Sequence, residues 1–142
     1  MTSKLNAFVA KCPSTPVVLM GYSQGAQVSA DTISGGATGI SGSARNVKAL
    51  SSAATQQIAA VVLMGDPSFV PGKQFNVGSN TAKNGVFPRK DTSALDAISG
   101  KVQSFCENGD TFCASGNSLA THLGYVNELG SQAADFIVSK AA

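Results

Sequence analysis

One serine set between two glycines, one histidine and two well-placed aspartates are the side chains here that could share a covalent reaction. The serine is Ser23, in "MGYSQGAQ" (20–27), which fits Gly-x-Ser-x-Gly. With 15 glycines and abundant serine, a shuffled chain holds that pattern by chance about one time in five, so context must carry it. A serine hydroxyl is a weak nucleophile without a base. The chain has a single histidine, His122, in "SLATHLGY", so the base is His122 or nothing conventional. A lone histidine is more often structural; this one follows the serine in the order Ser…acid…His. The acid must fix the imidazole tautomer and stabilise the imidazolium. Asp66 follows an apolar run, although Asp-Pro also initiates turns. Asp110 lies between Cys106 and Cys113, which can close a small loop. Such a bridge removes about 2.5 kcal/mol of unfolded-chain entropy and stiffens the loop, which is what an orienting carboxylate needs. Chemistry alone leaves both aspartates open and favours Asp110.

The elements around these residues give Ser23 its context. Residues 16–22, "PVVLMGY", form a continuous apolar, β-branched run, as in a strand buried on both faces of a parallel sheet. Ala26, Ser29, Ala30 and Ile33 then fall at helical spacing over 24–34, and Gly35-Gly36 stops them. A serine at that strand-to-helix turn occupies the nucleophile elbow of an α/β-hydrolase. Gly21 and Gly25 give the turn room, and Ala26 lets the helix approach the sheet. The helix N-terminus comes next to the reacting centre, with the Gln24 backbone N–H as one oxyanion donor.

Elsewhere, Leu5, Phe8, Val9 and Cys12 mark a first helix that Thr2 or Ser3 could cap. The spacing predicts loop over 37–44, helix over 46–57, and strands over 58–65 and 102–106. A last helix is expected from about Val126, with Val126, Leu129, Ala133, Phe136 and Ile137 on one face. The stretch 67–93 lacks periodicity; loops of that length are usually functional, and this one is expected to shape a substrate groove. Strands alternating with helices predict an α/β fold: a three-layer αβα sandwich with a central parallel sheet, in one domain over 1–142. Three strands are few for such a sheet, so strands preceding Met1 are expected.

Composition excludes several functions. Charged residues are 13% and the net charge is +2. Lys73, Lys83, Arg89 and Lys90 read as solvated loop residues, since no aromatics interleave with them, and no nucleic-acid partner is expected. No apolar run approaches a membrane span, and the N-terminus does not read as a signal peptide. Low charge with much Ser, Thr, Gly and Ala leans towards a protein working outside the cell. Cys106 and Cys113 do not make a zinc site, because further ligands at suitable spacing are absent. Cys12 is left unpaired. Two tyrosines and no tryptophan argue against a sugar-stacking binding module.

"CPSTPVVLMGYSQGA", "CENGDTFC" and "HLGY" together resemble the cutinase and acetylxylan esterase family of secreted serine esterases, from about Leu5 to the C-terminus. "MGDPSF" and the Gly in "HLGY" look like the acetylxylan esterase branch; "GYSQGA" looks like the cutinase branch. The resemblance implies Ser23 as nucleophile, Asp110 as acid, His122 as base and Gln24 as an oxyanion donor. It implies acyl-enzyme chemistry on acetylated xylan, cutin-like polyester or short-chain esters, with no metal or cofactor, in a secreted monomer. Family members also carry an N-terminal segment with the first strands, a cysteine pairing with the one matching Cys12, and a Ser or Thr completing the oxyanion hole. The chain therefore reads as the C-terminal two-thirds of a family member. The alternative from another class is a truncated chain that keeps the triad residues without activity.

Overall fold

The computed structural model describes residues 1–35 and 47–142. The loop expected over 37–44 lies outside the described residues, as does Gly36. The elements are α1 (Thr2–Lys11), β1 (Val17–Tyr22), α2 (Gln24–Ser34), α3 (Ser52–Gln56), β2 (Ile58–Met64), β3 (Asn76–Val77), α4 (Ser93–Asp96), β4 (Val102–Phe105) and α5 (Leu119–Ala141), with a 3₁₀ turn at Ser99–Lys101. The strands form one sheet in the order β1-β2-β4-β3, with every neighbouring pair parallel.

The near-continuous apolar run of β2 suits a strand covered on both faces, and its side chains divide with period two. Val61 and Leu63 join Val17, Leu19, Ala26, Ala30 and Ile33 in the core under α1 and α2. Val62 and Met64 join Phe105, Tyr125 and Ala133 in the core under α5. Helices thus cover both faces of a parallel sheet, as expected of an αβα sandwich. β1 ends the sheet order, and on it Met20 is exposed.

Four local expectations are corrected. A fourth strand, β3, lies inside the stretch 67–93; two residues are too few to show a period. Of the helix expected over 46–57, only Ser52–Gln56 is helical among the described residues, and the Ser51 side chain caps it by accepting from Ala54 N. The last helix begins a full turn or more before Val126, at Leu119, where Ser118 Oγ accepts from Thr121 N at 3.1 Å. Val126, expected on the buried face, is exposed, while His122, Tyr125 and Ala133 face inward. In α1, Met1 rather than Thr2 or Ser3 holds the N-cap position, with no side-chain cap, and Phe8 is exposed.

Candidate active site

Ser23 joins β1 to α2 with φ 55° and ψ −123°, a backbone that non-glycine residues rarely adopt. Its amide donates to Met64 O at 2.8 Å, fastening the turn to the end of β2, and its carbonyl accepts from Ala26 N and Gln27 N. At Gly21 a Cβ would lie 2.3 Å from Gly25 O, so the turn admits only glycine there. The same is not true of Gly25, where a Cβ would meet nothing within 4 Å; the expectation that both glycines supply needed room holds for Gly21 alone. Ala26 is fully buried against the sheet. Gln24 is the first residue of α2, so its N–H is among those with no partner inside the helix.

His122 lies in the first turn of α5, not in a loop before it. Its Nε2 is 2.9 Å from Ser23 Oγ and its Nδ1 is 2.9 Å from Asp110 Oδ2. An ionised carboxylate can only accept, so Nδ1 carries the proton and Nε2 is free to accept the one on Ser23 Oγ. Asp110 is wholly buried, and its other oxygen accepts from Phe112 N at 2.6 Å and Cys113 N at 2.9 Å.

The loop carrying Asp110 is closed by a Cys106–Cys113 disulfide. Tyr125 Oη accepts from Glu107 N at 2.9 Å and touches Cys113 Sγ at 3.2 Å. Burial pushes the Tyr125 hydroxyl far above its ordinary range, so it remains a neutral strut. Ser118 N donates to Gly109 O at 2.8 Å, and Ser118 then caps the helix that bears His122. Asp110 and His122 therefore stand on one continuous piece of chain, held by the disulfide and by the Ser118 contacts. Cys12 is a free thiol.

Several contacts to the imidazole are not legible as a motif. Tyr22 stacks on it, with ring centroids 5.1 Å apart, and Phe112 meets it edge-on at 4.6 Å. Gly65, at φ 62°, lies against it so closely that a Cβ would come within 2.9 Å of His122 Cε1. The available signals were small: an aromatic residue directly before the serine, and a glycine ending a buried strand.

Asp66 is not near the imidazole in any hydrogen bond; its partners are elsewhere. Its Oδ1 accepts from Ser68 N at 2.7 Å and its Oδ2 is 3.5 Å from Arg89 Nη2. Arg89 also pairs with Asp31 of α2. Reading Arg89 as a solvated loop residue is thus corrected: it is buried, because two carboxylates surround it. Burial raises the Asp66 pKa above its ordinary value, against the pull of Arg89. Lys83 and Lys90 are exposed as expected, and Lys73 forms a surface pair with Asp96 at 3.1 Å.

The stretch 67–93 folds back on itself, with Gly85 N donating to Phe69 O and Phe87 N to Pro67 O. Val86 N donates to Phe112 O, and buried Asn80 donates to Lys83 O and to Cys106 Sγ, which ties this stretch to the loop of Asp110. Among the described residues no cluster of His, Cys, Asp and Glu could hold a metal ion, and no helix is long and apolar enough to cross a membrane.

A family model described as cutinase matches residues 1–141. Acetylxylan esterase 2 of Talaromyces purpureogenus is 37% identical over 140 residues, covering 99% of this chain and 59% of that protein. Cutinase 11 of Verticillium dahliae is 34% identical, covering 99% of this chain and 47% of its own length. Among solved structures, an acetylxylan esterase at 0.90 Å superposes with a TM-score of 0.87 at 38% identity, over 99% of this chain and 67% of the other. The chain spans about half the length of these sequence relatives.

Proposed function

The chain belongs to the cutinase family, and from that premise we propose that it is a serine carboxylic ester hydrolase whose nucleophile is Ser23, base His122 and acid Asp110. One observation carries the reading: a serine in a left-handed turn between strand and helix, with its hydroxyl 2.9 Å from a buried imidazole.

In the proposed mechanism Ser23 Oγ attacks the ester carbonyl carbon as His122 Nε2 takes its proton. Asp110 holds the imidazole in the Nδ1–H tautomer and offsets the imidazolium charge. The carbonyl oxygen becomes an oxyanion facing the Gln24 N–H at the start of α2, where the helix dipole also favours negative charge. Collapse of the tetrahedral intermediate breaks the bond to the alcohol oxygen, which leaves with the proton from Nε2. Water then gives its proton to Nε2 as it attacks the acyl-enzyme, and the acid departs as the proton returns to Ser23.

The substrate class is an ester of an acetylated polysaccharide or of a cutin-like polyester, after the printed activities of the relatives. Residues 1–142 are read as belonging to one cutinase-like α/β-hydrolase domain acting as a monomer. A disulfide inside the site's supporting loop fits an oxidising, extracellular compartment. Ser23→Ala tests the assignment: hydrolysis of p-nitrophenyl acetate should fall to background with an unchanged circular dichroism spectrum. Unchanged turnover would overturn it.

A further inference from the structure

Tyr22 is covalently next to the proposed nucleophile, yet its side chain grips the proposed base. Its Oη donates to the His122 backbone carbonyl at 2.8 Å, across 100 positions of sequence, and its ring lies over the imidazole at 30° between planes. We propose that Tyr22 is a positioning residue that sets the distance between Ser23 and His122; the proposal rests on the triad reading given above.

Ser23 is held from below by β2, through its amide on Met64 O. His122 is carried by a different element, the first turn of α5, whose cap belongs to the loop of Asp110. The packing of β2 under α5 and the Gly65 backbone against the imidazole link the two indirectly, and Tyr22 adds a direct link between β1 and the start of α5. The Tyr22 hydroxyl ties a side chain at the end of β1 directly to the backbone of α5. Its ring restrains the imidazole on one face while the Phe112 edge and the Gly65 backbone restrain it elsewhere. Tyr22 is 38% exposed, so it gives the core less burial than a residue kept for packing would. Its neighbour on the same strand edge, Met20, is 58% exposed and makes no comparable reach. A nucleophile and base misplaced by about 1 Å lose on the order of a hundredfold in rate.

The experiment is the second-order rate of Ser23 phosphonylation by a small organophosphate, a reaction that needs the activated serine but little substrate binding. Wild type, Tyr22→Phe and Tyr22→Ala are compared, with thermal midpoints and kcat and KM for p-nitrophenyl acetate. Tyr22→Ala should label about a hundredfold more slowly than wild type, with kcat lowered to match and KM within about twofold. Tyr22→Phe keeps the ring over the imidazole and should recover most of the rate, leaving a deficit of several-fold from the lost hydroxyl. The His122 Nδ1 proton should give a sharp low-field NMR resonance in wild type and Tyr22→Phe, and a broadened one in Tyr22→Ala. If folded Tyr22→Ala labels within threefold of wild type, the proposal is wrong while the triad stands. If Tyr22→Ala does not fold, Tyr22→Phe decides, and a wild-type rate there overturns the role of the hydroxyl bond. If wild type itself is not labelled, the triad reading fails and this proposal goes with it.

Discussion

Asp110→Asn is the most informative single substitution, because the surroundings of this carboxylate dictate how the amide must sit. Oδ1 accepts from two backbone amides, Phe112 N at 2.6 Å and Cys113 N at 2.9 Å, whereas Oδ2 faces His122 Nδ1 at 2.9 Å. An asparagine has one acceptor oxygen and one NH₂ group. If the NH₂ pointed at the two amides, three buried donors would face one another, so the oxygen must take the Oδ1 place. The NH₂ then meets Nδ1, which has to become an acceptor, and the imidazole proton moves to Nε2. That proton points at Ser23 Oγ, and the base can no longer accept from it. A tautomer locked the wrong way lowers kcat by about 10⁴ in serine hydrolases, or about 5.5 kcal/mol of transition-state stabilisation. Stability should change little, because the volume is conserved and both backbone amides keep a partner. The assay is kcat for p-nitrophenyl acetate at neutral pH, beside a denaturant midpoint. A loss of less than tenfold in a folded variant would refute the reasoning about the acid and about the direction of the amide.

Four further outcomes are expected. Asp66→Asn should leave kcat within about tenfold of wild type, since its partners are Arg89 and Ser68 N and not the imidazole. The same residue sets a pH effect: its pKa is raised on folding, so its contribution to stability is full below the ordinary carboxylate range and lost as pH rises through the raised value. Urea denaturation followed upward from the ordinary carboxylate range should therefore show a loss of stability with rising pH in wild type that Asp66→Asn lacks; identical pH profiles would contradict this. Gly65→Ala should cost about 1–2 kcal/mol of stability for its left-handed backbone and more in activity, because its Cβ would press on His122 Cε1 from 2.9 Å; kcat and a thermal midpoint read both. Cys106→Ala/Cys113→Ala should lose about 2.5 kcal/mol by the chain-entropy estimate, measured as a denaturant midpoint, and should lower kcat further by freeing the loop of Asp110.

The sequence made the elbow legible because three scales agreed there. A buried strand run, a glycine that nothing else could replace at Gly21, and an amphipathic helix all met at Ser23. The sheet strands were equally plain where burial on both faces left unbroken apolar runs, as in β2. His122 was found as the only histidine, but its place on a helix was hidden. The signal for that helix is a cap at Ser118, and the two glycines after it, Gly124 and Gly130, argue the other way. Arg89 was misread for a different reason: its partners, Asp31 and Asp66, lie far away in sequence, and a charged residue among loop residues looks the same whether solvated or enclosed. Asp66 and Asp110 could be separated in part by chemistry, through the stiffness of a closed loop. What the sequence did not show is the partner of each carboxylate: the imidazole for Asp110, and Ser68 N with Arg89 for Asp66.

The central claim is that Ser23 is an activated nucleophile, and covalent labelling tests it most directly. The 142-residue chain is treated with an organophosphate, its intact mass is measured, and the adduct is mapped by peptides. One adduct, on Ser23 alone and absent from His122→Ala, is the result expected. No adduct on a chain shown to be folded, or an adduct spread over surface serines and tyrosines, would contradict the account.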